Sequence, residues 1–138
     1  MSVFVLDCSV ALSWCFPDET DGYAESVLDL LREAKGLAPA IWPLEMANAL
    51  LVAERRERIS QADATQFLSL VRSLPISVDG DTSDAAIDRV ISLARACELS
   101  SYDASYLELA LRAGVPIATL DSKLTTAARN QGVPLVSP

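Results

Sequence analysis

A three-layer α/β sandwich, with helices on both faces of a central parallel sheet, is the fold class this sequence predicts. Three observations lead there. Short apolar stretches alternate with segments whose apolar residues recur at helical spacing. The late junctions "AGVPIATLD" and "QGVPLVS" each read as a glycine-stopped helix followed by a short strand. No linker, repeat or low-complexity segment interrupts the 138 residues, so they form one domain with room for a proper core. Strands separated by helices pair in parallel through right-handed crossovers, which gives the sandwich.

The elements run in chain order. "VFVL" is a buried strand ending at Asp7. Ser9 then caps a short helix running toward Trp14 and Phe16, Pro17 ends it, and "PDETDG" is a polar loop. Tyr23, Val27, Leu30, Leu31 and Ala34 mark a second helix, with Gly36 as its stop signal. "LAPAI" is a short extended piece, and Pro43 suits the first turn of the next helix. From Trp42 to Ala53 that helix carries only two polar side chains, Glu45 and Asn48, and is apolar on almost every face. Ser60 with Asp63 resembles a capping box that opens a helix with Ala64, Phe67, Leu68 and Val71 on one face. "PISV" is a strand candidate. Ile87, Val90, Ile91 and Ala94 define the next helix, and Ser100 or Ser101 caps one running from about Tyr102 to Ala113.

Composition narrows the chemistry. The chain has no histidine, which removes Ser-His-Asp and Cys-His catalysis and imidazole-bound zinc. Its five glycines are isolated from one another, so neither a Walker loop nor a dinucleotide-binding turn can be built. Cys8, Cys15 and Cys97 are odd in number and in no ligand spacing; they read as reduced core residues of a cytoplasmic protein. "MSVFVLDCSV" lacks the basic segment and cleavage site of a secretory signal, and no apolar run approaches a membrane span. A net charge of −8 argues against a simple nucleic-acid binder, although carboxylates gathered on a cation are neutralised by it.

Any chemistry must therefore be carried by carboxylates, hydroxyls, lysine, arginine or a metal. Ligands sit at the carboxyl ends of strands in open parallel sheets. Asp7 follows "VFVL" and Asp121 follows "IATL", while Asp103 shares an inward stripe with Leu107 and Ala110. Glu45 lies in the first turns of its apolar helix, where an ionised carboxylate is costly unless paired, hydrogen-bonded or bound to a metal. Capping is an alternative for three of these acids: Asp7 on the first helix, Asp103 with Ser100, and Asp121 on the last helix. It does not account for Glu45. Four acids sharing one crevice would raise each other's pKa, and a divalent cation relieves that repulsion. With oxygen ligands only, Mg²⁺ or Mn²⁺ is favoured over zinc.

The blocks "VLDCSVALSWCFPDE", "WPLEMANALLVAERR", "LSSYDASYLELAL" and "ATLDSKLTTAA" resemble, in order and spacing, those of PIN-domain ribonucleases, and most of all the VapC toxins of VapBC toxin–antitoxin pairs. The resemblance spans essentially the whole chain. It implies a parallel sheet of about five strands, and it makes Asp7, Glu45, Asp103 and Asp121 the catalytic acids that hold one or two Mg²⁺ or Mn²⁺ ions. Asp7 and Asp103 would be direct ligands; Glu45 and Asp121 would complete or adjust the site. The implied reaction is hydrolysis of single-stranded RNA (tRNA, rRNA or mRNA). Ser9 and Thr119 lie beside the acids and can help position a water, or serve capping and strand packing. Some relatives carry a further acid two residues beyond the last aspartate, where this chain has Lys123.

Arg55, Arg56 and Arg58, with Lys123 and Arg129 as helpers, can grip RNA phosphates. A solvated helix end is the plainer account of the arginines. Trp14 and Phe16 can stack bases, belong to the core or lie beneath an antitoxin. The resemblance also implies a homodimer restrained by a small cognate antitoxin whose basic tail suits the negative chain. Two other readings remain: a Mg²⁺-binding phosphoacceptor receiver-like domain, for which "PISVDGD" lacks the context, and a non-catalytic interaction module with structural acids.

Overall fold

The computed structural model describes residues 2–19 and 21–138; Met1, and Thr20 in the stretch read as a polar loop, lie outside the described residues. Four parallel strands form one sheet: β1 (Ser2–Leu6), β2 (Ala34–Ala38), β3 (Ile76–Val78) and β4 (Ile117–Ala118), in the order β3-β2-β1-β4. A single parallel bridge from Ile117 to Leu135 extends it past β4, where the sequence places a fifth strand in "QGVPLVS". Among the described residues seven α-helices accompany the sheet: α1 (Cys8–Ser13), α2 (Gly22–Leu30), α3 (Trp42–Arg55), α4 (Gln61–Ser73), α5 (Asp84–Cys97), α6 (Ser101–Ala113) and α7 (Ser122–Asn130). The α/β expectation holds.

Apolar residues put β1 at the centre. Val5 and Leu6 are fully buried and join a core with Val27, Leu107, Ile117 and Leu124. Register then aligns the strand ends: Val5 lies beside Ile117 and Leu6 beside Ala118, so β1 and β4 finish side by side. β4 is short because each "GVP" junction sets a proline before the strand. Pro116 and Pro134 accept from Val5 and Ile117 at 2.8 and 2.9 Å, but a proline nitrogen has no proton to donate. Gly114 and Gly132 precede them with φ of +67° and +73°, the left-handed turn that closes a helix with glycine.

Three local expectations fail. Gly36 does not stop α2; that helix ends at Leu30, and Gly36 lies inside β2 opposite Phe4. A Cβ there would stand 3.3 Å from Ile76 Cγ1, so close packing of β3, not a helix stop, explains the glycine. Ser9 does not cap α1, which begins after Asp7 and ends at Ser13, short of Trp14 and Phe16. Nor is α3 buried all round: Leu44 is 68% exposed and Leu51 is also open to solvent. The Ser60–Asp63 capping box on α4 and the proline in the first turn of α3 are present as expected.

Candidate functional site

The ends of β1 and β4, with the first turns of α3 and α6, bring Asp7, Glu45, Asp103 and Asp121 together. All four line one cavity of about 320 Å³, together with Ser9 and Asn48. The chain reaches this point from four separate places, and each acid is held differently.

Asp7 stands at the N-terminus of α1 yet makes no side-chain cap. Its carboxylate is buried and taken up otherwise: Ser9 Oγ and Thr119 Oγ1 both donate to Oδ2, at 2.6 and 2.7 Å. The two hydroxyls are themselves anchored, since the Leu120 amide donates to Ser9 and the Asp121 amide to Thr119. Ser9 and Thr119 thus fix an acid; their donor protons point to Asp7. Asp121 does cap its helix, accepting from the Leu124 amide at 3.0 Å. Asp103 sits in the first turn of α6, with its amide donating to Ser100 Oγ at 3.1 Å.

Glu45 finds its partner in a residue the sequence did not single out. Tyr106 Oη donates to Glu45 Oε1 at 2.5 Å, from a side chain with no solvent exposure at all. Tyr106 lies three residues after Asp103, so both fall on the inward stripe of α6. That spacing was the available signal: a tyrosine on a buried face needs a polar partner for its hydroxyl. Burial and the bond to Glu45 push the phenol far above its usual range, so it remains a donor.

The electrostatics are those of crowded negative charge. Burial is the main cause that raises Asp7, opposed by its two hydroxyl donors and reinforced by Asp103 and Asp121. Burial also raises Glu45, against the Tyr106 bond and with the charges of Asp7 and Asp103. Asp103 is raised by burial and then by Asp121, while the Ser100 hydroxyl and the Lys123 ammonium pull it back. Cys8 also lines the cavity; burial, then Glu45 and Asp7, keep it a thiol, so it offers no thiolate. The donor chemistry is therefore oxygen, most of it carboxylate, which suits a hard divalent cation. As the side chains stand, no three Asp, Glu or Cys groups among the described residues are arranged to hold one. Like charges have no reason to draw together without an ion between them, and Asp103 and Asp121 are only half-buried.

The basic residues lie outside this cavity. Arg55 and Arg56 are exposed at the far end of α3, about 15 Å along the helix axis from Glu45. Arg58 is committed elsewhere: it pairs with Asp18 at 3.2 Å and Glu19 at 3.5 Å, and its guanidinium stacks 4.2 Å over Phe16. Lys123 is near enough to act on Asp103, whereas Arg129 lies in the last turn of α7, roughly 12 Å along the helix from Asp121. Phe16 is buried beneath Arg58, and Trp14 donates to the Ala24 carbonyl at 2.8 Å.

Four carboxylates at the carboxyl edge of a parallel sheet define the class: an α/β protein with an acidic site at its strand ends. The sequence matches the PIN domain over residues 4–130, and the chain belongs to that family. No curated protein matches it in sequence. Among solved structures it is similar to PAE2754 of Pyrobaculum aerophilum, with a TM-score of 0.71 and 23% identity over 91% of this chain and 84% of that one. It is also similar to VapBC2 of Rickettsia felis, solved with a fragment of promoter DNA (TM-score 0.68, 13% identity, 97% of each chain). A third is VapC20 of Mycobacterium tuberculosis, a toxin that cleaves the sarcin–ricin loop (TM-score 0.66, 17% identity, 99% of this chain and 100% of that one). At these identities the likeness is one of fold, and it extends across the chain as the four sequence blocks implied.

Proposed function

We propose that this protein is a divalent-cation-dependent endoribonuclease that cuts single-stranded RNA as the toxin of a toxin–antitoxin pair. One observation carries the reading: Asp7, Glu45, Asp103 and Asp121 line a single cavity although they come from four distant parts of the chain. Structural acids have no need to meet, and three of these four are raised by burial and by each other. That the toxins of Rickettsia felis and Mycobacterium tuberculosis share the fold supports the assignment.

Mg²⁺ or Mn²⁺ bound in the cavity would supply charge stabilisation for the phosphodiester and acidify the attacking water. The protein supplies the rest. Asp7, clamped by two hydroxyls, is a rigid oxygen at the floor of the site. Glu45, held by Tyr106, faces it from α3. Asp103 and Asp121, both half-buried, complete the acidic lining, and one of the four carboxylates takes the proton from the attacking water. Lys123 beside Asp103 meets a phosphate, and Arg55 and Arg56 hold the strand further along.

The partners accord with the same reading. A basic antitoxin segment suits a chain of net charge −8. An apolar groove of about 540 Å³ between α3, α5 and α6, where Leu44, Ile87, Ile91 and Tyr102 are exposed, supports a homodimer. Among the described residues no helix is long and apolar enough to cross a membrane, and three free cysteines suit the cytoplasm.

The test is cleavage of a mixed tRNA and rRNA pool by antitoxin-free protein with Mg²⁺, with Mn²⁺ and with EDTA, alongside Asp103→Asn. Discrete fragments that need the cation and vanish in the variant are expected. Equal cleavage by variant and wild type would refute the assignment.

A further inference from the structure

Three of the four acids have one oxygen already hydrogen-bonded and, among the described residues, the other free of protein donors. On Asp7, Oδ2 receives both the Ser9 and the Thr119 hydroxyls, and no donor among the described residues reaches Oδ1. On Glu45, Oε1 receives the Tyr106 hydroxyl, and no donor among the described residues reaches Oε2. On Asp121, Oδ1 is spent on the Leu124 amide. The donors on Asp7 and Glu45 cannot swing aside. Tyr106 is fully buried, Thr119 is buried, and Ser9 is itself tied to the Leu120 amide.

The number of free oxygens bears on which cation fits. Calcium takes six to eight oxygens and commonly draws two from one carboxylate. Magnesium takes six in a tight octahedron, keeps several waters and needs single oxygens at short range. A carboxylate with one oxygen already hydrogen-bonded presents its other oxygen more readily, which favours the second arrangement over the first.

We propose that Tyr106, Ser9 and Thr119 are positioning residues that turn Glu45 and Asp7 into one-oxygen ligands, and so select a small six-coordinate cation over calcium. This rests on the reading of the cavity as a metal site. Tyr106 does the most, because it holds Glu45 through a single bond and at the same time ties α3 to α6, the helix that brings Asp103. The three residues touch neither cation nor RNA; they act by leaving the right oxygen free.

The experiment is calorimetric titration of the full chain, without RNA, by Mn²⁺, Mg²⁺ and Ca²⁺ in turn. Wild type should bind Mn²⁺ and Mg²⁺ and discriminate against Ca²⁺. Tyr106→Phe keeps the ring and its packing, and should weaken Mn²⁺ binding roughly 10- to 100-fold while narrowing the Mn²⁺/Ca²⁺ ratio. Ser9→Ala, at a side chain that is not fully buried, should shift the ratio the same way. The ratio separates positioning from damage, since a loosened fold weakens all three cations alike. A folded Tyr106→Phe with wild-type Mn²⁺ affinity and ratio overturns the inference, as does wild type that binds Ca²⁺ as well as Mn²⁺. Wild type that binds no cation overturns the metal-site reading itself.

Discussion

The back of α6 offers a stability test in which two substitutions in one ion cluster should differ. Glu108 is 4% exposed and accepts from Arg112 Nε at 2.8 Å and Arg89 Nε at 3.1 Å, while Arg112 also pairs with Asp79. The two arginines are not buried to match; their side chains are 48% (Arg89) and 32% (Arg112) exposed. Arg112→Met strips a buried carboxylate of its closer partner. Breaking such a pair from one side costs about 3–5 kcal/mol, and the low end applies because Arg89 remains and water reaches both guanidiniums. Glu108→Gln keeps the volume and one acceptor, and leaves orphans that water can serve, at about 1.5 kcal/mol. Unfolding entropy for 138 residues is about 0.29 kcal/mol per kelvin, at roughly 2.1 cal/mol/K per residue. Arg112→Met should therefore lower Tm by about 10 °C and Glu108→Gln by about 5 °C, read by circular dichroism in EDTA. If Glu108→Gln costs as much as Arg112→Met or more, the cluster is held by something other than the buried carboxylate.

Two further outcomes test the acidic cavity and the helix ends. Asp7, Glu45 and Asp103 are all raised in the folded chain, chiefly by burial, so the folded state binds more protons than the unfolded one above the ordinary carboxylate range. Stability then falls as pH climbs through that window, the sign opposite to a salt-bridged acid. In EDTA the Tm of Asp7→Asn should gain on that of wild type as pH rises above about 3.9, and a difference that stays constant would contradict the burial argument. Gly114→Ala should cost about 1–2 kcal/mol through its φ of +67° alone, because nothing lies within 4 Å of the added carbon. Gly114→Asn should recover much of that, and equal losses by chemical denaturation would place the cause outside the backbone.

Periodicity and turn chemistry made the layers and most elements legible in the sequence, because alternating apolar runs leave few ways to bury them. The convergence of two acids was legible for the same reason: Asp7 follows β1 and Asp121 lies just past β4, and strand ends meet in a parallel sheet. What stayed hidden depends on neighbours far away in the chain. Gly36 reads as a helix stop until Ile76 is packed against it. Ile87 and Ile91 sit at perfect helical spacing with Val90, yet only Val90 is buried, since spacing marks a face without saying what covers it. Ser9 reads as a cap, and only the return of Thr119 to the same carboxylate shows its other use. Tyr106, on the inward stripe of α6, announces only that its buried hydroxyl needs a partner, not that the partner is Glu45 on α3.

The bond between Thr119 and Asp7 joins residues 112 positions apart, and Asp121 lies beyond it. The cavity therefore has no fourth wall until β4, the last strand in chain order among the described residues, docks on β1. A chain emerging from the ribosome carries Asp7 and Glu45 long before it carries Asp121. At roughly 5–20 residues per second, those two acids wait several seconds for the last one. The four-acid cavity is therefore complete only once the segment carrying β4 and Asp121 has been made.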